Sequence, residues 1–328
     1  VGGTETIAER DASGQWRAYG RKWFTSAATS EMALLLARPQ GNPAGTEGLA
    51  LYYIEPRDRA GRLQNITVDR LKDKLGSRKL PTAELSLHGA PVELVGEDRR
   101  GVRMIAPVLN QTRLWNAMAA LSFYRRGLQL LRDYASRRPV FGAMLREQPL
   151  HQRTFAGLQA EFEAALHLAL YVAELSGKAE HGLLDDRHRL LLRLLIPITK
   201  LYTAKQALAG VSEIIEGFGG AGYIEDTGLP VLLRDAQVFT IWEGTTDVLS
   251  LDALKVLSSE STWSAVQAAL GALLAQAAAE SEGIARQLLE RPKIDDQRRG
   301  DAEGDRIGQA VELCPEARLR LEQPRGAP

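Results

Sequence analysis

The sequence predicts an α+β multidomain chain: a small antiparallel β-barrel or sandwich domain followed by an up-down α-helical bundle. Three observations carry this expectation. Up to about Val95, short runs of β-branched and aromatic residues alternate with Gly, Pro, Asn and Asp, at a spacing that suits a barrel or sandwich better than a parallel sheet. Around Gly101 the apolar period changes from about 2 to about 3.6. The 328 residues suffice for roughly two domains at about 150 residues each. The division expected is a β-domain over 1–96, a helical bundle over 97–258, and an alanine-rich helix with an irregular tail over 259–328.

Taken in order, residues 15–26, 32–38, 49–54, 66–71 and 83–95 read as strands. Met104, Val108, Leu114, Met118, Leu121, Leu128 and Leu131 then line one side of a helix reaching roughly Arg137, with Pro107 in its first turns. Such a helix is about 50 Å long at roughly 1.5 Å per residue, a length only a large bundle can use. Residues 156–174 and 187–216 supply further long amphipathic helices, and 251–257 end another. Residues 263–289 have helical spacing, while 291–328 are dense in charge, Gly and Pro and are expected to be irregular.

Charge and cysteine usage exclude several classes. Lys plus Arg and Asp plus Glu number 41 each, so the total charge argues for neither nucleic acid nor an anionic membrane. From Ser259 onward there are 9 basic against 12 acidic residues, so the tail carries no DNA-binding footprint. The single cysteine, Cys314, rules out an intrachain disulfide and a multi-cysteine metal site, and points to a reducing compartment, the cytoplasm. No apolar run approaches the roughly 18 residues of a membrane span; the best, 190–198, is broken by Arg193 and Pro197. The five histidines show no ligand spacing, so no metal site is expected. The opening Val-Gly-Gly-Thr-Glu-Thr has no initiator Met and no signal pattern, and reads as a chain beginning in mid-fold.

The stretch that organises the chain begins at Phe218-Gly-Gly-Ala-Gly-Tyr and continues through Leu233-Arg-Asp-Ala to Ile241-Trp-Glu-Gly-Thr. Gly219, Gly220 and Gly222 allow positive φ or close approach to a flat ligand, although the same glycines also serve as a plain helix stop. Glu243 follows two large hydrophobes and precedes Gly244, where a new helix starts. A carboxylate beside an indole and away from water suits a general base for a carbon acid; the alternative is a first-turn acid that favours the helix dipole.

In order and spacing this run resembles the C-terminal part of the flavin-dependent acyl-CoA dehydrogenases, with their GGxGY turn, RDA segment and (Y/W)EG(T/S) motif. The resemblance extends over about residues 1–258 and implies that family's fold. It implies Glu243 as catalytic base and Thr245 as a cofactor contact. Gly20-Arg-Lys-Trp-Phe-Thr-Ser is similar to the family's β-domain motif, which makes Trp23 and Thr25 flavin contacts; on an alternating strand the two share a face. Gly2-Gly3-Thr4-Glu5 resembles the end of another flavin-side segment. Arg70-Leu-Lys-Asp-Lys-Leu-Gly-Ser-Arg is especially like the alkylation-response, or AidB-type, branch; otherwise Lys72, Lys74 and Arg78 read as a solvated basic face.

By the same resemblance Arg113, in Asn110-Gln-Thr-Arg-Leu, lies near the catalytic carboxylate. Arg138 meets the FAD pyrophosphate, where a planar fork suits paired oxygens. Phe141 packs on the cofactor, and Gly219 and Gly220 lie on its adenine side. These four act across a subunit interface, so a homodimer or homotetramer is implied. Two acids depart from the pattern, Glu216 where many members have glutamine and Asp247 where an amide is common.

The reaction implied is α,β-dehydrogenation of an acyl-CoA thioester, with Glu243 taking the α-proton while the β-hydride goes to FAD N5. An electron-transferring flavoprotein is the implied acceptor. The alternative is an AidB-type flavoprotein with a mainly binding, DNA-protective role; a third is a scaffold without cofactor. The N-terminal helical domain of the family is missing from the sequence, so either the chain is a fragment of a longer reading frame or that domain is absent.

Overall fold

Six strands form a β-barrel in the computed structural model, which describes residues 1–290. The irregular tail expected at 291–328, with Cys314, lies outside the described residues. The strands are β1 (Ile7–Arg10), β2 (Trp16–Ser26), β3 (Ala33–Pro39), β4 (Ala50–Ile54), β5 (Ile66–Leu71) and β6 (Thr82–Val95). Their order is β2-β1-β3-β4-β6-β5, and a further pairing of β2 with β6 closes the ring. The 14-residue β6 makes closure possible by pairing with β2, with β5 near its start (Ile66↔Leu87) and with β4 at its end (Leu51↔Val95). The β1–β3 pair is parallel; the other pairs are antiparallel. Inside, the fully buried Ala8, Ala18, Ala37, Ala50 and Ala90 leave room for the ring of Tyr52, which Trp16 meets edge-on with centroids 5.6 Å apart.

The helical half comprises α1 (Gly101–Arg137), α2 (Pro149–Glu180), α3 (Asp186–Glu216), α4 (Leu229–Ala236), α5 (Thr246–Leu257) and α6 (Glu260–Glu290). Local chemistry explains the starts. Pro149 opens α2, where a missing N–H costs nothing, and the Asp185 carboxylate accepts the His188 N–H at 2.8 Å to cap α3. Gly101 opens α1 directly against β4; a Cβ there would lie 2.5 Å from the Ala50 carbonyl carbon. Val1–Gln267 forms one compact unit, and a second begins at Ala268.

Helices α1, α2 and α3 run up, down and up. Tyr124 of α1 is buried at their crossing; its hydroxyl donates to Leu158 O of α2 at 2.9 Å, and its ring meets Phe162 edge-on. On the α3 side only glycine fits, because a Cβ at Gly210 would lie 2.3 Å from Tyr124 Cζ. Gly210→Ala is therefore expected to destabilise the protein by about 1–3 kcal/mol, overpacking outweighing the roughly 1 kcal/mol by which alanine is the better helix former. Urea unfolding of the two proteins checks this.

The β-barrel and bundle expected from the sequence are the observed architecture, and each expected element is present with ends shifted by a few residues. The 156–174 helix is the central part of α2. The short β1, the helix α4, and a hairpin of β7 (Pro139–Val140) and β8 (Ala143–Met144) were not foreseen.

Candidate active site

The loop between α4 and α5 holds an unusual backbone. After a 3-10 turn over Gln237–Thr240, Glu243 and Gly244 have φ of 59° and 114°, and Thr245 is the N-cap residue of α5. A left-handed conformation at a non-glycine residue costs about 1–3 kcal/mol and needs external support. Two cations supply it from different helices. Arg113 of α1 donates from Nε to Glu243 O at 3.2 Å, and Lys200 of α3 donates from Nζ to Gly244 O at 2.6 Å. Glu243 itself is half-buried, and among the described residues its carboxylate receives no hydrogen bond.

Asp252 of α5 anchors this arrangement. Its Oδ2 accepts from Arg113 Nη1 at 2.9 Å and its Oδ1 from Arg193 Nη2 at 2.5 Å. Burial pushes the Asp252 carboxyl up, but the Arg193 and Arg113 guanidiniums together hold it below the usual carboxylate range. Lys200 is 1% exposed. Burial pulls its ammonium down to about 8, partly opposed by the negative charge of Glu243.

A cleft of about 480 Å³ lies between barrel and bundle, with Trp23, Phe24, Leu75, Val238, Ile241 and Trp242 on its walls. The two halves are locked at its edge. Ser77 N–H donates to Asp235 Oδ1 at 2.5 Å, and Gly76 lies so close to α4 that a Cβ would sit 2.3 Å from Arg234 O. Trp23 projects because β2 carries a bulge: between Lys22↔Leu85 and Thr25↔Ala83 it advances one residue more than β6. The indole is 65% exposed, with Lys72 Nζ 3.6 Å from a ring centroid. Thr25 joins Trp23 on a second cavity, of about 380 Å³, at the barrel rim. Lys72 and Lys74 are not a solvated face: Lys72 pairs with Glu84, and Lys74 donates to Ser77 O, Leu80 O and Thr82 Oγ1.

Arg138, Phe141, Gly219 and Gly220 stand elsewhere. Arg138 is the C-cap residue of α1, twenty-five residues and thus about 37 Å along the helix from Arg113. Phe141 and Gly142, with φ of 50° and 85°, form the two-residue tip of the β7–β8 hairpin, and Phe141 is 98% exposed. Gly219 has φ 59°, and a Cβ added there or at Gly220 would meet nothing within 4 Å. This turn adjoins the same end of α1, since the Phe218 and Tyr134 rings lie 4.8 Å apart. Among the described residues no group of three or more His, Cys, Asp or Glu is placed to hold a metal ion, and no helix is long and apolar enough to cross a membrane.

Comparison with known proteins identifies the family. Residues 1–90 match the model of the acyl-CoA dehydrogenase middle domain, and residues 99–258 that of the acyl-CoA dehydrogenase C-terminal domain. The chain belongs to the acyl-CoA dehydrogenase family. It is 47% identical over 264 residues to acyl-CoA dehydrogenase family member 11 of Caenorhabditis elegans, covering 79% of this chain and 43% of the relative. To the AidB protein of Escherichia coli (strain K12) it is 32% identical over 278 residues, 85% of this chain and 48% of the relative. The crystal structure of C. elegans ACDH-11 in complex with C11-CoA superposes with a TM-score of 0.83 at 41% identity, over 97% of this chain and 52% of that one. The chain thus spans about half the length of these relatives. The likeness to AidB seen in the sequence is matched by a higher identity to the nematode protein, so placement in the AidB branch is supported only in part.

Lys200 and Asp252 are the site residues of this acyl-CoA dehydrogenase family member that motif reading did not single out. A signal for Lys200 was present. It sits at helical spacing among the buried Ile196, Thr203 and Ala207, a charge on an otherwise buried stripe of α3. Asp252 had none, because an acid on a short amphipathic helix looks like any surface charge.

Proposed function

We propose that this chain supplies the flavin-side and base-bearing portion of an FAD-dependent acyl-CoA dehydrogenase. The observation that carries this reading is the Glu243–Gly244 turn, whose two carbonyls are held by Arg113 and Lys200 while the Glu243 carboxylate accepts no hydrogen bond among the described residues and the preceding Trp242 lines the cleft with Trp23. The C11-CoA bound to the nematode relative supports a fatty-acyl thioester as substrate.

The residues present fit the cofactor. Trp23 offers a flat apolar surface at the mouth of the cleft, with Thr25 next to it. FAD, when bound, supplies the acceptor for the β-hydride. The chain's own part is to hold the proton acceptor: a Glu243 carboxylate oxygen takes the α-proton made acidic by the thioester carbonyl. Ile241 and Trp242 shield that step from water, and Arg113 and Lys200 hold the carboxylate's backbone at the required place. Thr245, exposed where α5 begins, is a further cofactor contact on this reading.

Arg138, Phe141, Gly219 and Gly220 lie too far from the cleft to serve the same cofactor in one chain. Their exposed guanidinium, aromatic ring and open glycine turn suit the pyrophosphate and adenine of a neighbouring subunit's FAD, which implies at least a homodimer. Arg138→Glu is expected to lower FAD retention by at least tenfold through charge repulsion, read from the flavin-to-protein absorbance ratio after gel filtration. On this reading an electron-transferring flavoprotein takes the electrons, in the cytoplasm.

The test is the visible spectrum of the protein with added FAD, before and after anaerobic addition of a short branched and a medium-chain acyl-CoA. Bleaching of the flavin band is the expected result. A bound flavin that no acyl-CoA bleaches would favour the AidB-type binding role, and no retained flavin would favour a cofactor-free scaffold.

A further inference from the structure

We propose that Lys200 is a positioning residue for Glu243, acting through the backbone of Gly244. The inference rests on the reading of Glu243 as base. Lys200 is almost wholly buried in α3, and its ammonium donates to Gly244 O at 2.6 Å. An ammonium out of water is costly, and a bond to a neutral carbonyl recovers only part of that cost, so an apolar side chain would serve packing better. What the ammonium adds is geometry. Glu243 O and Gly244 O are consecutive carbonyls that point at cations on two different helices, Arg113 of α1 and Lys200 of α3. With both held, the left-handed pair has a single orientation, and the Glu243 side chain leaves it in one direction.

Neither cation is hydrogen-bonded to the Glu243 carboxylate, which is why the loop can be rigid while the carboxylate stays available. Arg113 is itself fixed by Asp252 at 2.9 Å, whereas the pocket around Lys200 has Gly244 O as its acceptor. Removing Lys200 therefore frees one end of the turn and leaves the other held.

The experiment compares Lys200→Met with the unaltered protein by two measurements. The first is amide hydrogen exchange over residues 241–248 without substrate. Exchange there is expected to rise by about tenfold or more, while α1 and α3 keep their protection. The second is steady-state kinetics of the FAD-loaded protein with acyl-CoA: kcat is expected to fall by about 10²-fold with KM changed less than about threefold. Lys200→Gln, which keeps an N–H donor, is expected to recover about half of the lost exchange protection on a logarithmic scale; it also carries the comparison if the Met variant does not fold. Unchanged loop exchange and kcat overturn the proposal, as does a loss of protection spread through α1 and α3, which would mark a structural lysine. Glu243→Gln separates the two levels. If it abolishes turnover while Lys200→Met does not lower it, only the positioning role fails; if Glu243→Gln remains active, the base assignment fails and this inference with it.

Discussion

Glu243→Gln is expected to lower kcat for acyl-CoA dehydrogenation by about 10²- to 10⁴-fold while leaving fold and FAD retention unchanged. The substitution keeps the shape of the side chain and removes its capacity to accept a proton. Nothing in the described structure depends on the carboxylate for packing: it is half-buried and receives no hydrogen bond among the described residues. Anaerobic stopped-flow absorbance of the flavin band gives the rate, and a thermal melt gives the stability. Glu243→Gly makes the complementary case. It removes the same group but relieves a φ of 59°, so the inactive variant is expected to be as stable as the parent or more so, by up to about 1 kcal/mol. A protein whose inactive variant is no less stable than itself carries strain in the service of chemistry.

Asp252→Ala is expected to destabilise the protein by about 2–4 kcal/mol at neutral pH. Its carboxylate lies between Arg113 and Arg193, with side-chain exposures of 20%, 13% and 44% respectively. Removing the anion leaves two guanidiniums facing each other without compensation. The greater exposure of Arg193 keeps the loss below that of a fully buried pair. The pH dependence has a definite sign. The Asp252 carboxyl is held below its usual 3.8, so its stabilising contribution is complete above the ordinary carboxylate value and is lost as pH falls through the lower folded value. The stability difference between parent and variant is therefore expected to shrink from pH 7 toward pH 3, measured by urea unfolding at each pH. Because Arg113 also donates to Glu243 O, Asp252→Ala should slow turnover as well, and by less than the loss of Arg113 itself.

Much of this was legible in residues alone because the relevant signals are local. The change of apolar period at Gly101 reflects a change from alternating faces to a helical stripe, which short-range geometry imposes on any chain. Gly20-Arg-Lys-Trp-Phe-Thr-Ser and Ile241-Trp-Glu-Gly-Thr could be recognised because they are contiguous runs that resemble family motifs in residue type and spacing. Their failures are equally specific. The bulge at Trp23 depends on how β2 registers against β6, and no pattern within β2 encodes its partner's register. Lys72 and Lys74 read as surface charge because their acceptors, Glu84, Leu80 O and Thr82 Oγ1, come from a different strand or from the turn that leads into it.

By itself, then, the sequence determined the two architectures and the family, and it named the candidate residues for the chemistry proposed. Only the tertiary structure decided how those residues are held. Arg113, Lys200, Asp252 and Glu243 come from three helices and a loop, and the backbone that aims Glu243 adopts its left-handed form because cations on α1 and α3 grip consecutive carbonyls. It also decided that the Gly219–Gly220 turn meets the Arg138 end of α1, where the Phe218 and Tyr134 rings lie 4.8 Å apart. The physical reason is that residue type and spacing act over a few positions of the chain, whereas the support of a strained turn and the meeting of a glycine turn with a distant helix end exist only once separate elements have packed.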